Sequence, residues 1–165
     1  MLNYDEKAIE QNIQYEFQNK DLLKQAMSHS SYTNELKKRN IESYERLEFL
    51  GDAVLELITS EFLFEEYKDS QEGDMTKLRA SIVCEFTLSD ISRKLHFGDY
   101  VLLGKGEALT GGHDRNSILC DLFESVLGAI YLDGGMEPAK RYVHQFLLSD
   151  IENKTLYYDS KTTLQ

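Results

Sequence analysis

Tryptophan is missing from the 165-residue chain, proline occurs once, at Pro138, and cysteine twice, at Cys84 and Cys120. So little proline, with few extended alternating stretches, leaves helix as the prevailing secondary structure. Both cysteines sit in apolar helical patterns and read as reduced core residues rather than as a disulfide or a metal pair. Apolar runs of membrane-spanning length are also lacking, and the opening MLNYDEKAIEQ has neither the basic nor the apolar region of a secretory signal. A soluble, cytoplasmic protein without a membrane partner is expected. Positive charge is scarce: 18 Lys and Arg stand against 29 Asp and Glu, a net of −11, which taken alone argues against a nucleic-acid partner. The length suits one domain with a substantial core and is short for two.

The periodicity predicts helices over 5–17, 20–28, 43–67, 75–95, 117–133 and 138–151. Asn19 and Asp74 stand where N-caps belong, and Pro138 suits a first helical turn. Five of the ten glycines fall within FGDYVLLGKGEALTGG, which reads as the one long irregular loop. Composition changes only near Asn153, dividing the chain into a domain over 1–153 and a linker or tail over 154–165.

Acidic residues in apolar company are what the sequence has in excess. In ERLEFLGDAVLEL, apolar residues lie all round the helical wheel, so this helix should be largely buried. At about 100° per residue, Glu45, Glu48 and Asp52 nevertheless share one stripe roughly 60° wide. SILCDLFESVLGAIYLDGG repeats the pattern with Asp121 and Glu124, three apart on one face. If the stripes face each other, each pair of carboxylates about 4 Å apart costs roughly 4 kcal/mol at an effective dielectric of 20, so a cation belongs between them. Arg46, the basic residue nearby, lies off the stripe. The candidate ligands are all oxygens, which suits magnesium or manganese, and such a cluster is the apparatus of metal-assisted phosphoryl-transfer hydrolysis. A lone E-x-x-E is more often a solvated pair, but two sets on two apolar helices reverse that preference. A di-iron carboxylate bundle would need E-x-x-H on two helices, and none of the four histidines lies three residues after a glutamate.

YERLEFLGDAVLEL closely resembles the signature segment of ribonuclease III, bacterial type, and AMSHSSYTNE, EGDMTKLRASIV, LLGKGEALTGG and RNSILCDLFESVLGAIYLDGG are similar to successive blocks of the same endonuclease domain. The resemblance implies an all-α fold that forms a symmetric homodimer. It implies that Glu48, Asp52, Asp121 and Glu124 are catalytic and metal-binding, holding Mg2+, with Mn2+ able to substitute, and that Glu45 and Glu72 are supporting acidic residues. Without it, Glu45 and Glu72 read equally as a solvated first-turn acid and a turn residue. The resemblance gives Phe49 to the dimer interface, where spacing alone leaves interface and core evenly matched. Gly51 beside it would then allow close helix approach. Cys120 departs from the family's usual small residue, and His29 reads as a structural hydrogen-bonding residue.

The implied function is metal-dependent endonucleolytic cleavage of double-stranded RNA, in processing of ribosomal and messenger RNA precursors, leaving 5′-phosphate and 3′-hydroxyl ends with a short 3′ overhang. A non-catalytic dimeric RNA-binding or scaffold protein is the alternative, and it would have no reason to bear the repulsion among four carboxylates. The acidity of the chain is then partly the metal site itself. The final YYDSKTTLQ is similar to the opening of the double-stranded-RNA-binding domain that follows in this family. The sequence therefore reads either as an enzyme cut short of its basic module or as a compact single-domain relative.

Overall fold

The most apolar stretch of the chain becomes its axis. The computed structural model describes residues 3–36, 40–149 and 151. Among them are the helices α1 (Glu6–Ile13), α2 (Lys20–Ala26), α3 (Ser30–Glu35), α4 (Glu45–Glu66), α5 (Glu72–Ile82), α6 (Glu85–Lys94), α7 (Phe97–Tyr100), α8 (Lys105–Leu109), α9 (Asn116–Gly134) and α10 (Met136–Val143). Every residue of α9 over 122–130 is buried, because α4, α6, α2 and α10 enclose it. A helix apolar all round has this environment as its stable one, each fully buried Leu, Val, Ile or Phe contributing about 1.5–3 kcal/mol. The all-α expectation holds. The extended pairing among the described residues is one parallel bridge, Ser28 to Leu102, where the Leu102 amide donates to the Met27 carbonyl at 2.8 Å and the His29 amide donates back to Leu102 at 3.0 Å.

Several predicted helices end early or divide. Gln14 adopts the left-handed conformation, φ 58°, and closes α1 where 5–17 was expected. Asn19 caps α2 as expected, accepting from the Asp21 amide at 3.1 Å, but α2 stops at Ala26 as the chain swings out to pair with Leu102. The expected 75–95 helix is two, α5 and α6, broken at Val83 and Cys84 after a run of β-branched and serine residues with modest helix propensity. The break lets α6 turn onto α9, where the Ser92 hydroxyl donates to the Leu119 carbonyl at 2.6 Å, while α5 stays on α4 through Arg79 and Glu56 at 2.8 Å. Asp74 is not a cap: Gln71 holds that position and Asp74 lies in the first turn of α5, where its charge suits the helix dipole. The glycine-rich stretch is not one irregular loop, since α7, α8 and a 3-10 turn over Gly112–Asp114 occupy most of it. Pro138 lies in the first turn of α10 as expected, and a π-helical turn, His144–Leu148, follows where continuous helix was predicted. The tail reading over 154–165 falls outside the described residues.

Two glycines set the distance between α4 and α9. A Cβ on Gly51 would overlap the backbone carbonyl of Glu124, and a Cβ on Gly128 would overlap that of Leu47. Each helix therefore presents bare backbone to the other, and their axes approach more closely than side chains permit. This corrects the sequence reading of Gly51: its close approach is made inside the chain, to α9, and not to a second subunit.

The N-terminal segment is clasped to the far end of α9. Asp133 accepts from the Tyr15 hydroxyl at 2.6 Å and from the Gln18 and Asn19 amides, both at 2.9 Å. Burial disfavours its charge, but these three donors and nearby Lys20 outweigh burial and hold the carboxyl below its usual range.

Candidate metal centre

The glycine crossing places the acidic stripe of α4 beside that of α9. Glu48 and Asp121 are half-buried, Asp52 is exposed, and Glu124 is only 8% exposed. Burial pushes Glu48 up to about 7, reinforced by its side-chain contact with Asp121 and by the charges of Asp121, Glu45 and Asp52. Burial also pushes Glu124 up to about 8, helped by contact with Asp52 and only partly offset by a thiol hydrogen bond from Cys120. The two helices thus meet in crossed pairs, Glu48 with Asp121 and Asp52 with Glu124.

Among the described residues, three arginines of the surrounding elements pair outside the cluster. Arg46 pairs with Glu42 at 3.4 Å, Arg79 with Glu56, and Arg115 with Glu107. Support comes instead from neutral donors. The Tyr44 hydroxyl, one helical turn before Glu48, donates to Asp121 Oδ2 at 2.9 Å, and burial with that carboxylate keeps the phenol protonated. Cys120 Sγ lies 3.5 Å from Glu124 Oε1, and burial, then the charge of Glu124, pushes the thiol up. One donor atom each from Cys120, Asp121 and Glu124 lie within 4.8 Å of one another. His29 caps α3, its Nδ1 accepting from the Ser31 amide at 3.1 Å, and the fields of Asp121 and Glu45 reach its ring. Burial outweighs those fields and lowers its affinity for a proton. The structural role expected for His29 is the one observed.

Residues 19–151 match the family model described as Ribonuclease-III-like. The chain belongs to the ribonuclease III family. It is 49% identical over 161 residues to Ribonuclease 3 of Bacillus velezensis, covering 96% of this chain and 65% of that one. It is 46% identical over 161 residues to Ribonuclease 3 of Listeria innocua, covering 96% and 70%. The chain thus spans about two thirds of the length of these curated relatives. The solved nuclease domain of ribonuclease III from Campylobacter jejuni superposes with a TM-score of 0.79 at 39% identity, over 87% of this chain and 94% of that one. A second structure of that domain, TM-score 0.78, is described by structural flexibility in a region involved in dimer formation.

Among the residues that the ribonuclease III resemblance singled out, Glu48, Asp52, Asp121 and Glu124 are brought together, and Glu45 acts on Glu48 through its charge. Glu72 stands apart, exposed in the first turn of α5, beside a groove of about 420 Å³ lined by Leu57, Phe64, Met75 and Arg79. The expectation that α4 is largely buried fails on one face. Phe49 is 82% exposed, with Ala53, Leu57 and Phe64 exposed along the same stripe, so Phe49 is not a core residue of this chain. Tyr44 went unassigned in the sequence, although its position four residues before Glu48 places both on one face. Cys120, expected as a reduced core residue, is half-buried beside Glu124, and its i, i+4 relation to that residue is the sequence signal for the contact.

Proposed function

We propose that this chain is the nuclease domain of an endoribonuclease that hydrolyses phosphodiester bonds of double-stranded RNA, with the domain over 1–153 and a linker over 154–165. One observation carries the reading: four carboxylates from two helices converge, two of them raised toward neutrality, while Arg46 and Arg115 pair with Glu42 and Glu107. Oxygen donors in this number suit Mg2+, with Mn2+ as a substitute, and Glu48, Asp52, Asp121 and Glu124 would hold the ion. Bound there, a divalent cation supplies charge for the scissile phosphate and an acidified water.

The chain's own residues prepare that chemistry. Tyr44 fixes one oxygen of Asp121 by donating its hydroxyl to Oδ2. Burial of Glu124 keeps bulk water from screening its charge. Glu45 adds negative field beside Glu48, and Glu72, which stands apart within the single chain, is proposed as a supporting acidic residue on the ribonuclease III resemblance. Products would carry 5′ phosphates and 3′ hydroxyls, from precursors of ribosomal and messenger RNA in the cytoplasm. The duplex would be recognised mainly by A-form shape and 2′-hydroxyls. Among the described residues no helix is long and apolar enough to cross a membrane.

The exposed stripe of α4 supports a homodimer about a two-fold axis, with Phe49 at its centre. Incubation with long double-stranded RNA, with and without Mg2+, tests the activity. Cleavage should need the metal and should be lost in Asp52→Asn and Glu124→Gln. Wild-type rates in both variants would overturn the site.

A further inference from the structure

We infer that His29 is a positioning residue of the proposed metal centre, acting through Tyr44 to aim the carboxylate of Asp121. The inference rests on that centre and adds to it a frame drawn from the link between α2 and α3. The Tyr44 hydroxyl donates to Asp121 Oδ2 at 2.9 Å, and Tyr44 is 3% exposed, so bulk water does not compete for the bond. A carboxylate hydrogen-bonded in this way holds its orientation before an ion arrives, provided that its partner is itself held.

The hydroxyl stands at the far end of the Tyr44 ring, so a small tilt of the ring would carry the bond beyond hydrogen-bonding range. Two consecutive residues oppose that tilt. The Ser28 carbonyl accepts from the Tyr44 amide at 2.8 Å and fixes the backbone, while the His29 ring meets the Tyr44 ring edge-on, with centroids 5.7 Å apart and planes at 69°. His29 is held in turn. Its amide donates to the Leu102 carbonyl at 3.0 Å, and its Nδ1 accepts from the Ser31 amide at 3.1 Å. The Ser31 hydroxyl lies 2.8 Å from the same Nδ1 and accepts from the Gly104 amide at 2.9 Å. An Nδ1 that accepts leaves the proton of the neutral ring on Nε2, and neither ring changes protonation in this role. A continuous set of contacts thus runs from Leu102 and Gly104, through Ser31, His29 and Tyr44, to Asp121. Capping α3 uses one nitrogen of His29, which a smaller side chain could supply; bracing Tyr44 needs the whole ring.

The two roles separate in His29→Asn, which keeps an acceptor for the Ser31 amide and removes the ring. Manganese binding to the 165-residue chain, followed by electron paramagnetic resonance, reads the effect without RNA. Tyr44→Phe should weaken binding by about 10- to 100-fold, and His29→Asn by about 10-fold, the low end of the range for a group that supports a metal ligand. His29→Asn made in the Tyr44→Phe background should add no further loss, because the hydroxyl through which it acts is gone. Wild-type affinity in either single variant, or a His29→Asn loss that adds in full to that of Tyr44→Phe, overturns this inference and leaves the metal centre standing. Failure of manganese to bind the wild type overturns the centre on which it rests. Should His29→Asn not fold, Ser31→Ala decides, since it removes the hydroxyl beside the ring and keeps the capped amide. Weaker manganese binding that disappears in the Tyr44→Phe background supports the pair, and unchanged affinity overturns it.

Discussion

Glu124 is where burial and like charge act together most strongly. Its carboxyl sits at about 8 in the folded chain, against an unfolded value near 4.5. A raised acid favours the folded state below its unfolded value and loses that contribution as pH rises through its folded one. The metal-free protein should therefore lose thermal stability between about pH 5 and pH 8, with Glu48, at about 7, contributing in the same direction. Glu124→Gln should flatten the profile and raise the melting temperature at pH 8, as scanning calorimetry in the presence of a chelator would record. An unchanged slope would mean that Glu124 is ionised at little cost. A divalent ion reverses the effect, since it binds the charged form, and its stabilisation should be greater at pH 8 than at pH 5. The four clustered carboxylates were legible in the sequence because helical spacing alone puts them on two stripes. Tyr44 was not, because its hydroxyl acquires its role from Asp121, a partner that only the helix crossing supplies, whereas Cys120 meets Glu124 within α9, four residues on.

At the scale of elements, what matters is that α4 and α9 touch through backbone. Gly51→Ala drives a methyl group into the Glu124 carbonyl, and neither helix has a side chain that can yield. Overpacking of this kind costs about 3 kcal/mol or more at the upper end of its range, and the change should also part the two carboxylate pairs. Urea denaturation should show the lowered midpoint, and metal affinity should fall in step. Gly73→Ala, where a Cβ meets open space, is the control and should be nearly silent or mildly stabilising. The existence of α4 and α9 was readable from their length and apolar density. Their partner at Gly51 was not, since a glycine in a helix signals close approach without saying to what. The α5–α6 break escaped for a related reason: periodicity continues across Val83 and Cys84, and the modest helix propensity there becomes a break where α6 turns onto α9. No sequence signal announced α3, whose SSYTNE has no apolar stripe and buries nothing fully.

The whole molecule carries an exposed apolar stripe on an acidic body, and the proposed homodimer would form through that stripe. Phe49→Ala removes a side chain that is 82% exposed in the single chain, so the loss should fall on association rather than folding. An interface anchor of this kind contributes about 2 kcal/mol or more, a weakening of dimerisation by roughly 30-fold or more, with little change in the unfolding midpoint once dissociation is complete. Sedimentation across a concentration series would measure it, and a wild type monomeric throughout would remove the premise. Acid acts on the opposite end of the molecule in the contrary sense. The Asp133 clasp depends on a carboxylate held below its usual range, so its contribution is present near neutrality and is lost as pH falls through that lowered value. Hydrogen exchange at low pH should find the Gln18 and Asn19 amides unprotected while those of α9 over 122–130 remain closed. Exchange at equal rates in both segments would show that the clasp and the core open together. Acid then works on this protein in two stages: mild acid calms the crowded centre, and only stronger acid, below the usual carboxylate range, unfastens the Tyr15–Asn19 clasp from the end of α9.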